Sequence, residues 1–377
     1  FTRVPDAFPG IFENASCVVA GDFDGDGKTD LFIGSRVVSG QYGIGPKSHL
    51  LRNDGTGHFT DVTARVAPEL ADAGMVTSAT WVDYDHDGRL DLVVVGEFTP
   101  VRVFHNEGGR LVERTREAGL AGTEGWWNSV RAADLTGTGR QDLVLGNLGL
   151  NTYLRASAEQ PLRMYVGDFG HNGTLEQVLT FYKHGVSYPI GFRDDFVKLV
   201  PSLRSKYPSY AAFAASRVED IFPDEDLKKA RVLEAHTFAS AVAHNNGNGT
   251  FTLRPLPAAA QVAPVYASLA GEFTGDGRRD LLLGGNFWGF QPIIGRADAS
   301  YGVLLRGAGD GTFAPVGMDE SGLLLDGQVR RLAALRAADG ARLIVAARNN
   351  DRLQFFRVRS APVPPARRAL VASRGAP

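Results

Sequence analysis

Residues 21–36 read GDFDGDGKTDLFIGSR, and this stretch decides the fold. It sets Asp22, Asp24, Asp26 and Asp30 within nine residues, then turns at once to an apolar run that reaches a glycine. Four carboxylates so close repel one another, so the cluster needs a cation or full solvation. Ligands at positions 1, 3, 5 and 9 converge if the chain curls round one ion, and Gly27 at position 6 permits the bend. Hard oxygen donors in that number suit Ca2+, which takes about 6–8 oxygens; Mg2+ tolerates a crowded all-protein cage poorly.

The motif recurs. Residues 79–98 read ATWVDYDHDGRLDLVVVGEF, residues 130–149 VRAADLTGTGRQDLVLGNLG and residues 268–287 SLAGEFTGDGRRDLLLGGNF. A worn copy at 164–182 reads MYVGDFGHNGTLEQVLTFY, and a fainter one at 332–347 has lost all its acids but Asp339. Glycine-rich hairpins follow at 50–63, 103–115, 241–256 and 304–316. Each unit is thus a strand, an acidic turn, a buried strand and an outer hairpin. The near-continuous apolar runs LFIG, LVVVG, LVLG and LLLGG suit strands covered on both faces.

Four strands per unit at periods of roughly 40–60 residues predict an all-β chain, a β-propeller. Six turns start at 22, 83, 134, 168, 272 and near 335, and a seventh blade has room in 177–240, so the expectation is six to seven four-stranded blades over residues 1–358. Phe1-Thr2-Arg3-Val4 resembles Phe59-Thr60-Asp61-Val62 and is expected to complete the sixth unit and close the ring. A helical insertion is expected at about 193–230: Phe196, Leu199, Val200 and Leu203 have helical spacing, and Ser209 caps a second helix carrying Phe213 and Val218. Residues 359–377 read as a flexible C-terminal tail.

The turns differ in ligand quality. Turn one offers Asp22, Asp24, Asp26 and Asp30; turn two offers Asp83, Asp85, Asp87 and Asp91; turn five offers Glu272, Thr274, Asp276 and Asp280. Turn three has Asp134, Thr136, Thr138 and Asp142, and turn four Asp168, Asn172 and Glu176. Occupancy is expected to be highest in turns one and two, then five, then three and four. An EF-hand is rejected, because position 12 is Ile33 or Val94 rather than Glu and strands flank the loop. A phosphate loop is rejected because Asp22 stands where GDGKT would need glycine.

The formal charge of −2, from 40 basic and 42 acidic residues, argues against a general nucleic-acid or membrane-surface role. No apolar run approaches the ~20 residues of a membrane span. The single cysteine, Cys17, forms no internal disulfide. Residue 1 is Phe, so a mature product or a fragment is expected. Millimolar free Ca2+ is an extracellular condition, so the turns argue for an exported protein: extracellular, cell-surface or periplasmic.

GDFDGDGKTDLFIG, VDYDHDGRLDLVVVG and GEFTGDGRRDLLLGG resemble FG-GAP/VCBS-type repeats, found in integrin α-chain propellers and bacterial exported proteins. GWWNSVRAADLTGTGRQDLVLGNLGLN at 125–151 and SKYPSYAAFAASRVEDIF at 205–222 are similar to bacterial homologues of cartilage acidic protein, which often carry an ASPIC/UnbV segment. No such segment is found here, so the chain is expected to be a C-terminal part of a longer protein. The resemblance implies an exported Ca2+-binding propeller with binding rather than catalytic roles. It assigns Asp22, Asp24, Asp26 and Asp30, and their counterparts in turn two, to the metal.

Trp126, Trp127 and Asn128 offer an aromatic platform for a sugar, the alternative being blade-packing tryptophans; Trp288 with Phe287 and Phe290 invites the same reading. Lys206, Tyr207 and Tyr210 would suit a lyase-like base, but no histidine lies in metal or triad spacing. No catalytic residues are therefore named. The chain is expected to bind a protein or glycan partner through its loop face or helical insertion, without catalysis. The alternatives are a lyase-type propeller enzyme acting on polysaccharide and a structural subunit of a larger cell-surface complex.

Overall fold

The computed structural model describes residues 4–290 and 295–358. The first sheet is β1 (Ala15–Gly21), β2 (Asp30–Ser35), β3 (His49–Asn53) and β4 (Phe59–Asp61), antiparallel in that order. The second repeats it with β5 (Met75–Val82), β6 (Asp91–Thr99), β7 (Arg102–Asn106) and β8 (Leu111–Glu113); β9 (Gly125–Trp126) adds to β6. The acidic turn joins the first two strands each time, and the apolar run behind it becomes the second strand. In β6 that run is buried from Asp91 to Phe98, as expected for a strand covered on both faces.

The third sheet breaks the series. β10 (Ser129–Ala133) and β11 (Asp142–Gly146) follow the pattern, but the chain then leaves to build another sheet. That sheet is β12 (Leu162–Gly167), β13 (Glu176–Lys183), β14 (Val186–Pro189) and β15 (Arg231–Ala235), in the order β14-β13-β12-β15. Only afterwards do β16 (Ala241–Asn245) and β17 (Phe251–Pro255) return to complete the third sheet, with Leu143 opposite Ala243 and Leu145 opposite Ala241. The hairpin 241–256 therefore belongs to turn three. The six turns give six sheets, but five follow in series and the sheet of turn four is inserted inside the third.

The fourth serial sheet is β18 (Val265–Gly271), β19 (Asp280–Gly285), β20 (Val303–Gly307) and β21 (Phe313–Val316). The fifth has three strands, β22 (Val329–Arg336), β23 (Arg342–Arg348) and β24 (Gln354–Arg357). The strand expected from residues 1–4 falls mostly outside the described residues. Just after it, Phe59 donates its backbone N–H to the Ala7 carbonyl at 2.8 Å and Phe8 stacks on Phe59, so this segment lies beside the first sheet. The tail 359–377 lies outside the described residues.

First strands pack in sequence: β1 on β5, β5 on β10, β10 on β18, β18 on β22. No comparable packing joins β22 to β1 among the described residues. The motif glycine explains how close the sheets come. A Cβ on Gly34 would lie 2.5 Å from Val76 Cγ1, one on Gly146 2.1 Å from the Val265 carbonyl oxygen, and one on Gly284 2.8 Å from Val329 Cγ1. Each neighbour belongs to the next sheet's first strand.

The insertion is helical, as expected, and lies between β14 and β15. It holds five short helices: Arg193–Leu199, Leu203–Lys206, Tyr210–Ala214, Val218–Ile221 and Asp224–Lys229. Ser209 does cap its helix, accepting from the Ala212 N–H at 3.2 Å. That helix ends at Ala214, so Val218 starts a separate one. Phe196, Phe213, Val218 and Phe222 share a core with Phe169 of turn four, which fastens the helices to the inserted sheet.

Candidate metal centres

All five acid-bearing turns start from the same local device. In turn one the Asp22 carboxylate accepts from the N–H groups of Gly25 (2.9 Å), Asp26 (3.1 Å) and Gly27 (2.9 Å). Asp83 does the same for Asp87 and Gly88, Asp134 for Gly137, Thr138 and Gly139, and Asp168 for Asn172 and Gly173. In turn five Glu272 accepts from Gly275. The position-1 acid folds the loop whether or not the remaining acids are present.

The position-9 acid ties the turn to the third strand. Asp30 accepts from Phe23 N–H (3.3 Å) and Asn53 N–H (2.8 Å), and Asp91 from Tyr84 (3.2 Å) and Asn106 (2.8 Å). Asp142 serves Leu135 and Asn245, and Asp280 serves Phe273 and Gly307. Asp30, Asp91 and Asp280 are fully buried. Burial pushes the Asp91 carboxyl up to about 6, with the Asp85 charge adding to it. Burial, Asp24 and Asp26 raise Asp30 in the same direction. A cation in either turn would relieve that strain on the charged form.

The donor sets fit a hard cation in two turns. Asp22, Asp24 and Asp30 each place a carboxylate oxygen within 4.8 Å of the others, and so do Asp83, Asp85 and Asp91. Asp26 is in neither triplet, while Asp87 forms a second group in turn two with Asp85 and His105. Asp26 pairs with Lys28 and Arg52, each at 3.2 Å, and Asp87 pairs with Arg89. Turns three, four and five form no such acidic group among the described residues. In turn five the Thr274 hydroxyl is buried with no hydrogen-bond partner among the described residues.

Sequence reading missed what the third strand contributes. A basic residue near its end lies over the turn: Arg52 Nε is 2.7 Å from Asp24, and His105 Nδ1 is 3.0 Å from Asp91 and 3.5 Å from Asp85. His244 holds the same place 3.6 Å from Asp142. The signal was present in the pairs Arg52-Asn53, His105-Asn106 and His244-Asn245, each just before the glycine-rich turn.

The expected tryptophan platform does not form as a surface. Trp127 is fully buried in the core between the second and third sheets, its indole N–H donating to the Thr123 carbonyl at 3.0 Å. Trp126 is nearly buried and packs on Phe98, Phe238 and Phe290. The reason is the strand β9, which sets Trp126 against β6 opposite Glu97, while Trp127 just beyond it donates its backbone N–H to the Gly96 carbonyl at 3.2 Å. Asn128 is also buried, but it faces a cavity. Trp288 is 44% exposed, with the Arg296 guanidinium 5.6 Å from its ring. Tyr207 and Tyr210 are spent on structure, donating to the Asp220 carbonyl (2.9 Å) and the Asp194 carboxylate (2.6 Å).

The FG-GAP-like repeat model matches residues 22–94 and 83–145, so FG-GAP-like repeats occupy the first two sheets and turn three. No curated protein matches this chain. Among solved structures, the V. cholerae biofilm matrix protein Bap1 is similar over 88% of this chain and 65% of its own, at 10% identity and a TM-score of 0.29. The exotype rhamnogalacturonan lyase YesX is similar over 90% of this chain and 54% of its own, at 14% identity and a TM-score of 0.34. BBS1N, solved in complex with ARL6DN, is similar over 94% of each chain, at 10% identity and a TM-score of 0.29. The chain thus spans under two thirds of the length of the first two. Among the described residues no helix is long and apolar enough to cross a membrane.

Proposed function

We propose that this chain is an exported calcium-binding β-propeller that engages a protein or glycan partner and catalyses no reaction. One observation carries the reading: turns one and two bring together the same three carboxylates, at positions 1, 3 and 9. Asp22, Asp24 and Asp30 hold one ion and Asp83, Asp85 and Asp91 another, with Asp26 and Asp87 as further donors once freed from their basic partners. Turn five is a third, weaker site, supported by the orphaned Thr274 hydroxyl. The ions neutralise the turns and fix the angle between first and second strands. At a hundred times its Kd, Ca2+ stabilises the fold by about 2.7 kcal/mol per site.

The five serial sheets act as blades, and the inserted sheet with its helices rises from the third as a partner-binding element. The likeness of 125–151 and 205–222 to bacterial homologues of cartilage acidic protein supports this placement among exported binding proteins. The test is a screen of immobilised glycans and surface proteins in Ca2+ and in EDTA, with product analysis on the polysaccharides. Calcium-dependent capture without turnover supports the reading. Unsaturated sugar products would overturn the non-catalytic part.

A further inference from the structure

The first strands β1, β5, β10, β18 and β22 surround a cavity of about 920 Å3. Four of them carry a β-bulge at equivalent places, and the extra residues are Ser16, Thr77, Tyr266 and Arg330. All four line the cavity. A bulge re-aims a side chain and recurs beside functional sites. Here the same irregularity delivers two hydroxyls, a phenol and a guanidinium to one space.

The cavity wall is cationic. Arg36, Arg131, Arg330 and Arg331 line it. Arg36 is already neutralised by buried Glu97 at 2.6 Å. Arg330 stacks 4.3 Å from the Tyr266 ring centroid and donates to the Asn286 carbonyl and Gln328 Oε1, but it has no carboxylate partner among the described residues. Arg131 and Arg331 make no side-chain hydrogen bond or ion pair among the described residues. Burial and the Arg331 charge pull the Arg131 guanidinium below its ordinary value, as expected where no anion has answered two like charges. The remaining acid on the wall, Asp83, is committed to turn two.

A second cavity of about 830 Å3 adjoins the first, sharing Arg36, Glu97, Asn128, Tyr266 and Phe287. Its own wall is aromatic, with Tyr42, Trp126 and Phe290. Asn128 stands where the two meet. It is 8% exposed, and its buried Nδ2 has no hydrogen-bond partner among the described residues. An orphaned buried amide is costly unless something supplies the acceptor. Each cavity falls in the roughly 300–1,000 Å3 range of small-molecule sites.

We propose that these joined cavities bind a carboxylate-bearing oligosaccharide, with Arg131, Arg330 and Arg331 taking the uronate carboxylates, Asn128 a sugar oxygen and the Trp126–Phe290 wall a sugar face. The guanidinium fork matches a carboxylate in two bonds, and aromatic rings suit the apolar face of a sugar. The inference deepens the glycan part of the proposed function and rests on it. The site itself is separate from the calcium ligands that carry the rest of that reading.

The test is calorimetric titration of the whole chain in saturating Ca2+ with trigalacturonate, subtracting a blank of trigalacturonate into calcium buffer. The arms are its neutral methyl ester, sulfate and an Asp/Glu hexapeptide. The uronate is expected to bind at least tenfold more tightly than the ester, and more tightly than sulfate or the peptide. Arg131→Gln and Arg331→Gln should each weaken it about tenfold, and Asn128→Ala several-fold. Neither arginine has a side-chain partner among the described residues, so both variants should keep the parent's melting point and bound calcium; if one fails to fold, the other carries the test. Equal binding of acid and ester, tighter binding of the peptide or sulfate, unchanged affinity in the arginine variants, or no binding would overturn the assignment. Two bound ions without uronate binding would defeat this assignment alone. Uronate binding without calcium would leave it standing and defeat the calcium scaffold.

Discussion

Asn106 Nδ2 donates to the backbone carbonyl of Phe23 at 2.6 Å, so the third strand of the second sheet holds the acidic turn of the first. Asn245 repeats the bond one sheet along, to the Tyr84 carbonyl at 2.7 Å. Each carbonyl sits between the position-1 and position-3 acids of its turn. Neighbouring turns are therefore linked through one buried amide each.

Asn106→Ala removes that bond, a second to the Leu90 carbonyl and one accepted from Gly109 N–H. With Asn106 only 1% exposed, the groups left behind stay dry, and the loss should be roughly 2–4 kcal/mol. Asn53 occupies the same place in the first sheet but bonds only within it, to the Thr29 carbonyl and Gly55 N–H. Asn53→Ala should cost clearly less. Urea unfolding of the two variants side by side reads the difference, and equal losses would remove the cross-sheet role.

Gly146→Ala should destabilise by more than about 2 kcal/mol. The new Cβ would sit 2.1 Å from the Val265 carbonyl oxygen, a backbone atom that cannot swing aside. Gly139→Ala is the contrast: φ is +83° but the space around it is open, so only the left-handed backbone penalty of about 1 kcal/mol applies. Thermal unfolding of both variants ranks them.

Without calcium, Asp91 should work against the fold at neutral pH. Its folded carboxyl titrates near 6, above the unfolded value of about 3.9, so its favourable contribution is full below ~4 and lost as pH rises through 6. In EDTA, wild type should therefore lose stability relative to Asp91→Asn between pH 4 and 7. In saturating calcium the order should reverse, because a bound cation favours the carboxylate. Guanidinium unfolding across that range checks both signs.

Asp24→Ala and Asp85→Ala should each remove one bound calcium ion and leave the other. The turns themselves should persist, since Asp22 and Asp83 make the loop-closing bonds. Metal counting on the dialysed variants reads the stoichiometry. Thr136→Ala in turn three should change no ion count.

Much of this architecture is legible in the sequence because one motif does several jobs visibly. The spaced acids and the apolar run behind them predict a turn and a buried central strand, and the structure has both; the close approach at the motif glycine shows only in the packing of the sheets. The order of sheets was less legible. Turn four keeps Asp168 and Gly173, so it reads as another unit, yet β12 lies mid-sheet and the true partner of Leu143–Leu145 is some hundred residues later at Ala241–Ala243. Local spacing carries no information about such a long-range pairing. Position 5 was legible only in part: the pairing of Asp26 with Lys28 and of Asp87 with Arg89 is local to each turn, but Arg52 reaches Asp26, and His105 reaches the Asp85–Asp87 pair, from the third strand. Trp127 was ambiguous because it is buried by a core shared between the second and third sheets, which local spacing does not reveal.

The most direct test of the central claim is thermal unfolding of the purified chain in EDTA and across a calcium titration, with bound metal counted at each end. The calcium-scaffold account predicts a melting point that climbs with calcium and two tightly bound ions, with a third at higher concentration. An unchanged melting point with no bound metal would contradict it, leaving the acidic turns as solvated loops held by their own backbone bonds and by basic partners such as Arg52, Lys28 and Arg89.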